Sequence, residues 1–372
     1  MRVTSILLLS VILFGSCSNS TNNSLKVKSS NQYAHGFSVD EYPSYTKVSV
    51  FNPWENAGNS RFDYYLVRKG VQNDTLKNAI TIPVKRVICL STTHVAFLSA
   101  LGETDKIGGL SGTNYVSDSL VNKRIEKGEI PDVGYDQNLN YELIVQLKPD
   151  VVFAYGVGSE IIGFLNRLKD LGIQVVLNAE YLEQSPLGKA EWIKFMAAFF
   201  DQKEKGDSLF EQVATDYLAL KERVAHCEKR PTVMTGLPFK DQWWVPGGKA
   251  YLATMINDAG ANYLWKENPS NESFVISPEQ MIVKAEQADY WINTGIATSL
   301  DGIKTFDNRF TNFAPYVNQM VYNNDLRMRP GGGNDFWESG VVYPNRILKD
   351  LITIFHPEVL SGRSLYYYRK LE

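Results

Sequence analysis

A short pattern occurs once in each half of this sequence. It consists of a polar helix cap, a Glu two residues later, an apolar-periodic helix, and an Asp that opens a run of buried-strand residues. In the first half these are Asn140, Glu142 and Asp150, leading into Val151-Val152-Phe153-Ala154-Tyr155. In the second they are Ser277, Glu279 and Asp289, leading into Tyr290-Trp291-Ile292-Asn293. Repetition on this scale predicts two similarly built units. The length of 372 residues agrees, because one hydrophobic core rarely grows past about 250–300 residues.

Around each copy, strands alternate with helices. Residues 84–90 read as a strand, followed by a helix over 94–100 that Gly102 ends and a strand over 107–110. A helix runs from the Asn140 cap to Leu147. The strand at 151–155, a helix over 160–171 stopped by Gly172, and a strand over 174–177 come next. The second half predicts strands at 231–236, 289–293 and 317–322, and helices over 250–259, 277–287 and 343–355. The expected fold class is therefore α/β: two Rossmann-like lobes, each a parallel sheet covered by helices. Between the halves, Leu209, Phe210, Val213, Ala214, Tyr217, Leu220 and Val224 keep helical spacing. They predict a single linking helix over 203–226, about 35 Å long at 1.5 Å per residue. Strand-like pieces at 47–51 and 64–67, broken by Pro53 and Asn/Gly turns, predict a small β-rich extension on the first lobe. The expected division is 33–202 for the first lobe with its extension, 203–226 for the linking helix and 227–372 for the second lobe.

Arg2 precedes an apolar run over 6–14, and Gly15, Ser16 and Cys17 follow. A basic start, a short apolar stretch and small residues make an export signal; the run is shorter than the roughly 20 residues that span a bilayer. Phe14-Gly15-Ser16-Cys17 resembles the bacterial lipoprotein cleavage box. This makes 1–16 the signal peptide and Cys17 the acylated first residue, the alternative being a plain signal peptide with an incidental Cys. Ser and Asn dominate 17–32, which reads as a flexible tether. A formal charge of -3 supplies no basic field for nucleic acid or an anionic membrane surface. Cys89 reads as a small buried hydrophobe, and whether it pairs with Cys227 is open.

In doubly wound sheets, ligands sit beyond the carboxyl ends of the strands. Those positions hold His94 and Tyr155 in the first half, and Trp243, Trp244 and Arg309 in the second. Tyr135 and Trp337 are further aromatic candidates; 20 Tyr and 7 Trp suit a ligand with flat apolar faces as well as a core. Adjacent strand residues face opposite ways, so one of Trp243 and Trp244 can be core while the other faces a cleft. Arg327 and Arg329 alternate in a segment expected to be extended, and guanidinium pairs suit the carboxylate or catecholate oxygens of a ferric chelate. Two solvated loop arginines are the alternative. His35, His226 and His356 show no metal-ligand spacing, and Gly331-Gly332-Gly333 lacks the Lys-Ser/Thr ending of a phosphate loop. No metal, cofactor or catalytic motif is expected, and the chain does not read as an enzyme. Glu142 and Glu279 have two readings. First-turn acids are favoured by the helix dipole; matched carboxylates, one per lobe, also suit docking on a two-fold symmetric partner with paired Arg pockets.

Several stretches carry a family resemblance. They are Arg86-Val87-Ile88-Cys89-Leu90-Ser91 running into Ala100-Leu101-Gly102, then Val133-Gly134, and Asn140-Tyr141-Glu142-Leu143 through Lys148-Pro149-Asp150-Val151-Val152. The second half adds Gly247-Gly248, Asn257-Asp258-Ala259-Gly260-Ala261-Asn262, Ser277-Pro278-Glu279-Gln280 and His356-Pro357-Glu358. In order over 84–358, they resemble the periplasmic binding proteins of ABC importers for iron-siderophore, haem and cobalamin. The resemblance implies two helix-joined lobes that clasp a ligand, with Glu142 and Glu279 forming salt bridges to the permease. It implies a permease dimer and its ATPase subunits as partners, and a monomer held by its lipid anchor on the periplasmic side of a bacterial membrane. A ferric siderophore is the first expectation, because of the arginines, with cobalamin second and haem third. An exported hydrolase on the same scaffold is the rival class. Replacing Cys17 with Ser should abolish metabolic palmitate labelling and release the protein from the membrane fraction; labelling that persists in Cys17→Ser would remove the anchor assignment.

Overall fold

The computed structural model describes residues 31–71, 76, 78–135, 138–240 and 242–372. The expected signal peptide, Cys17 and the tether up to residue 30 lie outside the described residues. Four strands come first: β1 (Phe37–Tyr42), β2 (Tyr45–Phe51), β3 (Arg61–Arg68) and β4 (Ile80–Ile82). They form one sheet in that order, antiparallel except for the parallel β3–β4 pair. The first lobe follows with β5 (Val87–Cys89), α1 (Thr92–Leu101), β6 (Ile107–Leu110), α2 (Ser119–Glu126), α3 (Tyr141–Leu147), β7 (Val151–Ala154), α4 (Ile161–Asp170), β8 (Val175–Leu177) and α5 (Pro186–Phe199). Its strands are all parallel, in the order β6-β5-β7-β8.

Helix α6 (Lys203–Ala225) leads to the second lobe. There β9 (Thr232–Thr235), β10 (Trp243–Pro246), α7 (Tyr251–Asp258), β11 (Asn262–Tyr263), β12 (Ser273–Ile276), α8 (Pro278–Ala285) and β13 (Tyr290–Ile292) are followed by α9 (Leu300–Phe306), α10 (Ala314–Val317), β14 (Val321–Asn323), α11 (Ser339–Val342), α12 (Pro344–Phe355) and β15 (Arg369–Lys370). The sheet order is β11-β9-β13-β14-β15, parallel apart from β15 at the edge. Strands β10 and β12 form a separate antiparallel ribbon. With that ribbon and β15 set aside, the order along the chain is second, first, third, fourth in both lobes. The α/β expectation of two parallel-sheet lobes holds.

The repeated sequence pattern has a repeated physical job. Asp150 accepts the Lys85 amide at 2.6 Å and the Arg86 amide at 3.0 Å, and its own N–H donates to the Arg86 carbonyl at 2.8 Å. Asp289 accepts the Thr232 amide at 2.7 Å, and its N–H donates to the Thr232 carbonyl at 2.8 Å. Each Asp thus fixes where the third strand of its lobe starts against the first. Upstream, Asn140 caps α3 through the Leu143 amide at 2.9 Å. Ser277 and Gln280 exchange side-chain and backbone bonds at the start of α8, satisfying amides that a helix start otherwise leaves unpaired. One predicted strand, 317–322, is shorter and shifted. Pro315 opens the one-turn helix α10, Gln319 takes a left-handed φ of 55°, and the chain becomes extended only at Val321. Proline at a helix start pre-sets φ, and here that preference overrides the apolar run around Val317.

Helix α5 is buried on nearly every face. Its Trp192, Phe195 and Phe199 link the extension to the first sheet: ring centroids are 4.7 Å apart for Phe37–Trp192, 4.9 Å for Trp192–Phe195, 5.3 Å for Phe195–Phe199 and 5.3 Å for Phe153–Phe199. Helices α6 and α12 lie against α5, and one apolar cluster runs through all three into both lobes. From α6, the buried Tyr217 hydroxyl donates to Asp258 of α7 at 2.7 Å, and Lys221 pairs with the same carboxylate at 2.7 Å. The start of the described residues and the C-terminal segment are each tied by carboxylates. Glu191 accepts the amides of Gln32, Tyr33 and Ala34, Glu183 those of His35 and Gly36, and Asp350 those of Tyr366, Tyr367 and Tyr368.

Helices α5 and α6 approach closely at Gly206 of α6. A Cβ there would lie 2.6 Å from the Ala197 Cβ of α5. Gly206→Val should therefore prise α6 off α5 and lower unfolding stability by about 1–3 kcal/mol, as overpacking does elsewhere. Urea unfolding of the two proteins measures it, and an unchanged midpoint would contradict this packing.

Candidate functional site

The first lobe carries an open cavity of about 490 Å³ at the carboxyl ends of its strands. Leu90 and Tyr155 line it from the ends of adjacent β5 and β7, and Ser111 from the end of β6. The strand order reverses between β5 and β7, so the helices that follow diverge and leave a crevice there. Tyr135, Leu139, Tyr141, 156–157, Glu160, Ile161 and Phe164 complete the lining, with the Tyr141 and Phe164 ring centroids 6.2 Å apart. Tyr141 is held by the Arg167 guanidinium, 4.0 Å over its ring. The Tyr181 hydroxyl donates to the Gly156 carbonyl at 2.6 Å, and burial raises that phenol's pKa, with Glu55, Glu180 and Glu160 adding to the shift. Among the described residues the lining is phenolic and apolar, with the Ser111 hydroxyl, one carboxylate and no Lys or Arg. Such a wall suits a bulky ligand with flat, apolar faces and hydrogen-bonding edges.

Of the sequence candidates, the structure brings Tyr135 and Tyr155 together in this cavity, 58% and 38% exposed. On the second lobe, Trp244 is 53% exposed on β10, whereas Trp243 is fully buried. Trp243 packs on Phe310 at 5.3 Å and Trp291 at 6.0 Å, and its indole N–H donates to the Thr235 carbonyl. The alternation of a strand separates the pair, and Trp243 offers no surface to a ligand. His94 is also fully buried, with its ring edge-on to Phe153 at 6.2 Å; it belongs to the core of the first lobe rather than to the cavity. It lies in the first turn of α1, on the side turned into the protein.

The arginines require a larger correction. Arg309 donates to Asp307 through Nε and Nη2, the latter at 2.6 Å, and lies 3.6 Å from Glu279. It sits at the start of α8 beside the expected docking carboxylate. Glu279 is exposed, and its pKa is lowered first by its own backbone amide, then by Ser277 and by Arg309. Arg327 pairs with Asp335 at 2.5 Å and stacks over Tyr366 at 4.4 Å. The stretch 325–334 is a tight turn, not an extended segment: the Met328 amide bonds to Asp325, and the Arg329 amide to the Gly333 carbonyl at 2.7 Å. Arg329 has no carboxylate partner among the described residues. Trp337 is 59% exposed, edge-on to Phe336 at 4.7 Å. Glu142 is exposed in the first turn of α3, as Glu279 is in α8.

The turn that carries Arg329 and Trp337 reaches the first lobe. The Glu338 carboxylate accepts the Ser117 amide at 2.6 Å and the Asp118 amide at 2.8 Å, and burial lifts its pKa to about 8. Gly331 and Gly333 lie so close to the Asn114 and Tyr115 carbonyls that a Cβ would sit 2.4 and 2.2 Å from them. The two lobes therefore touch through backbone here. The sequence reading missed Leu90, Ser111, Leu139, Tyr141, Glu160, Ile161 and Phe164. Ser111 was within reach of the strand-end rule, but Tyr141, Ile161 and Phe164 sit in amphipathic helices where the same residues also mean core. Among the described residues no cluster of three or more His, Cys, Asp or Glu could hold a metal ion, and no helix is long and apolar enough to cross a membrane.

The periplasmic binding protein family matches residues 87–323. A lipoprotein of Methanocaldococcus jannaschii is 30% identical over 304 residues, which are 78% of this chain and 70% of that protein. The vitamin B12-binding protein of Salmonella paratyphi A is 31% identical over 165 residues, 42% of this chain and 57% of its own. Among solved structures, a possible iron-binding, periplasmic solute-binding protein from Staphylococcus epidermidis has the same fold, with a TM-score of 0.58 at 21% identity over 74% of this chain and 99% of that one.

Burial holds the His94 imidazole neutral, with its pKa lowered from 6.5 to about 3. The unfolded chain binds that proton below about pH 6.5 and the folded one does not. The contribution of His94 is therefore intact above the unfolded value and lost as pH falls toward the folded one. Urea denaturation should show stability dropping between pH 6.5 and 4, by at most about 1.4 kcal/mol per pH unit from this group. His94→Leu should flatten that slope; an unchanged slope would mean that His94 is not buried neutral.

Proposed function

This chain belongs to the periplasmic binding protein family and is a substrate-binding protein of an ABC importer; from that premise we propose that it carries a corrinoid in the cleft above the first-lobe cavity. The observation that carries the ligand class is the lining, in which Tyr135, Tyr141, Tyr155 and Phe164 surround about 490 Å³ with no cationic side chain among them. The anionic siderophore ranked first in the sequence reading because of its arginines. Arg309 and Arg327 are already neutralised by Asp307 and Asp335, which removes most of that reason. A corrinoid offers a large flat ring with amide edges, which phenols and backbone groups can meet without a counter-charge. The Salmonella relative named for vitamin B12 supports the same ordering. An iron complex is the second reading, supported by Arg329, which has no carboxylate partner among the described residues.

The reading has the protein exported, held on the outer face of a membrane by an acylated Cys17, and active as a monomer. The Methanocaldococcus relative is itself named a lipoprotein. Glu142 and Glu279, exposed in the first turns of equivalent helices, dock the loaded protein on the permease dimer. Trp244, Trp337 and Arg329 of the second lobe complete the ligand's surroundings.

Titration of the soluble domain with cyanocobalamin, followed by Trp fluorescence, should give a dissociation constant of roughly micromolar or tighter. Tyr155→Ala should weaken it at least about tenfold, in the range of a buried aromatic anchor. Saturable binding of haemin or a ferric catecholate, but not of cyanocobalamin, would move the ligand to the iron complexes. Binding of none of the three would sink the ligand class. Glu142→Ala combined with Glu279→Ala should leave the titration unchanged and stop uptake into cells; normal uptake would remove the docking role.

A further inference from the structure

The N-terminal sheet lies before the stretch that matches the family, which begins at residue 87, and the fold explains why it is retained. The connection 52–60 between β2 and β3 turns inward at Trp54, which is only 5% exposed. Trp54 clusters with Ala154, Ile161 and Leu177, and Leu90, Phe164 and Leu165 pack against the same group. Of these, Leu90, Ile161 and Phe164 also line the cavity. A single side chain layer therefore has the cavity on one side and the indole of the extension on the other. The next residue acts on the backbone: the Glu55 amide donates to the Val157 carbonyl at 3.4 Å. Val157 belongs to the connection from β7 to α4, which lines the cavity through 156–157 and Glu160.

That connection needs outside support. It carries Gly156 and Gly158, the residues with the widest backbone freedom. Gly156 is pressed against Ile161, where a Cβ would be 2.6 Å away. Two contacts from other parts of the chain hold its carbonyls, the Tyr181 hydroxyl on Gly156 and the Glu55 amide on Val157. The extension is itself anchored, because the Leu177 amide donates to the Tyr64 hydroxyl at 2.9 Å and Trp54 meets Phe62 edge-on at 5.7 Å.

We propose that the 52–60 connection is a fixed brace for the cavity wall, and that Trp54 is its positioning residue. It acts through Ile161, Phe164 and the 156–160 backbone to set the positions of Tyr155 and of Tyr141, which packs on Phe164 with ring centroids 6.2 Å apart. The inference deepens the ligand-site reading and rests on it for its functional meaning, though the mechanical coupling exists whatever the cavity binds. Trp54 touches no ligand; its effect is on the shape that the ligand meets. The extension thereby contributes to selectivity from outside the two-lobe stretch that matches the family.

Amide hydrogen exchange on the soluble domain, without ligand, is the deciding measurement. Trp54→Ala should speed exchange at 156–161 by roughly tenfold or more, the local opening expected when a buried ring is removed. Amides of α6 and of the second lobe should exchange at the wild-type rate, and Trp54→Phe should restore most of the local protection. Unchanged exchange at 156–161, or an equal rise throughout the domain, would overturn the brace. Cyanocobalamin titration then separates the two readings. If the wild type binds it, Trp54→Ala should weaken binding by a similar factor while Trp54→Phe stays near wild type; equal affinity in all three proteins would overturn the brace. If the wild type does not bind it while the exchange response is still local, the ligand assignment fails and the brace stands.

Discussion

The structure depends on one buried layer of helices. Helix α5 has almost no solvent-facing side, and α6 and α12 lie against it, so the apolar cluster that stabilises the first lobe continues into the second. Burying that surface is the largest favourable term available to the chain, and it cannot be kept if the lobes separate at their base. Where hinged strands join two lobes, the lobes can swing; here a 23-residue helix packed along its length joins them. The backbone contacts of the Arg329–Trp337 turn with the first lobe, and the Glu338 carboxylate on the Ser117 and Asp118 amides, add a second point of attachment away from that layer. Ligand selection in such a frame falls to the residues of the crevice and to whatever fixes their spacing.

Charge is disposed in a way that reinforces this. The buried carboxylates of Glu191, Glu183 and Asp350 each accept two or three consecutive backbone amides, at the start of the described chain and near its end, and the exposed Asp150 and Asp289 accept amides at the strand junctions. Two or three amides offset much of a buried carboxylate's desolvation, so these acids organise backbone, and Glu191 also pairs with Lys194 at 2.9 Å. Arg309, Arg327 and Arg369 are instead paired with Asp307, Asp335 and Asp325. Among the described residues the cavity is left with phenols, Phe164, aliphatic side chains, Ser111 and Glu160. A largely aromatic and apolar lining favours ligands recognised by shape and hydrogen bonding over anions recognised by charge.

Much of the frame was legible before folding was considered. The alternation of strands and helices, the glycine stops, the polar caps and the duplicated Asp are local signals, each readable within a dozen residues, and the structure assembles them into two sheets of the same strand order. The errors were local too where a stronger neighbour intervened, as Pro315 did by starting a helix inside an expected strand. The site was legible only in part. Tyr155 was visible because it follows a strand whose carboxyl end faces a crevice, whereas Tyr135 stood only as a further aromatic candidate. Tyr141 and Phe164 were not, because in an amphipathic helix an aromatic residue has the same signature whether it faces a core or a cavity.

The sequence by itself determined the fold class, the two-lobed plan and the candidate docking acids, because periodicity and capping are properties of neighbouring residues. Only the tertiary structure decided which side chains were available for chemistry. His94 and Trp243 vanished into cores, and Arg309 and Arg327 were taken up by Asp307 and Asp335. Trp54, unremarkable in the sequence, came to stand behind the wall of the cavity. Burial and charge pairing depend on which residues meet across the fold, and no spacing rule along the chain contains that information.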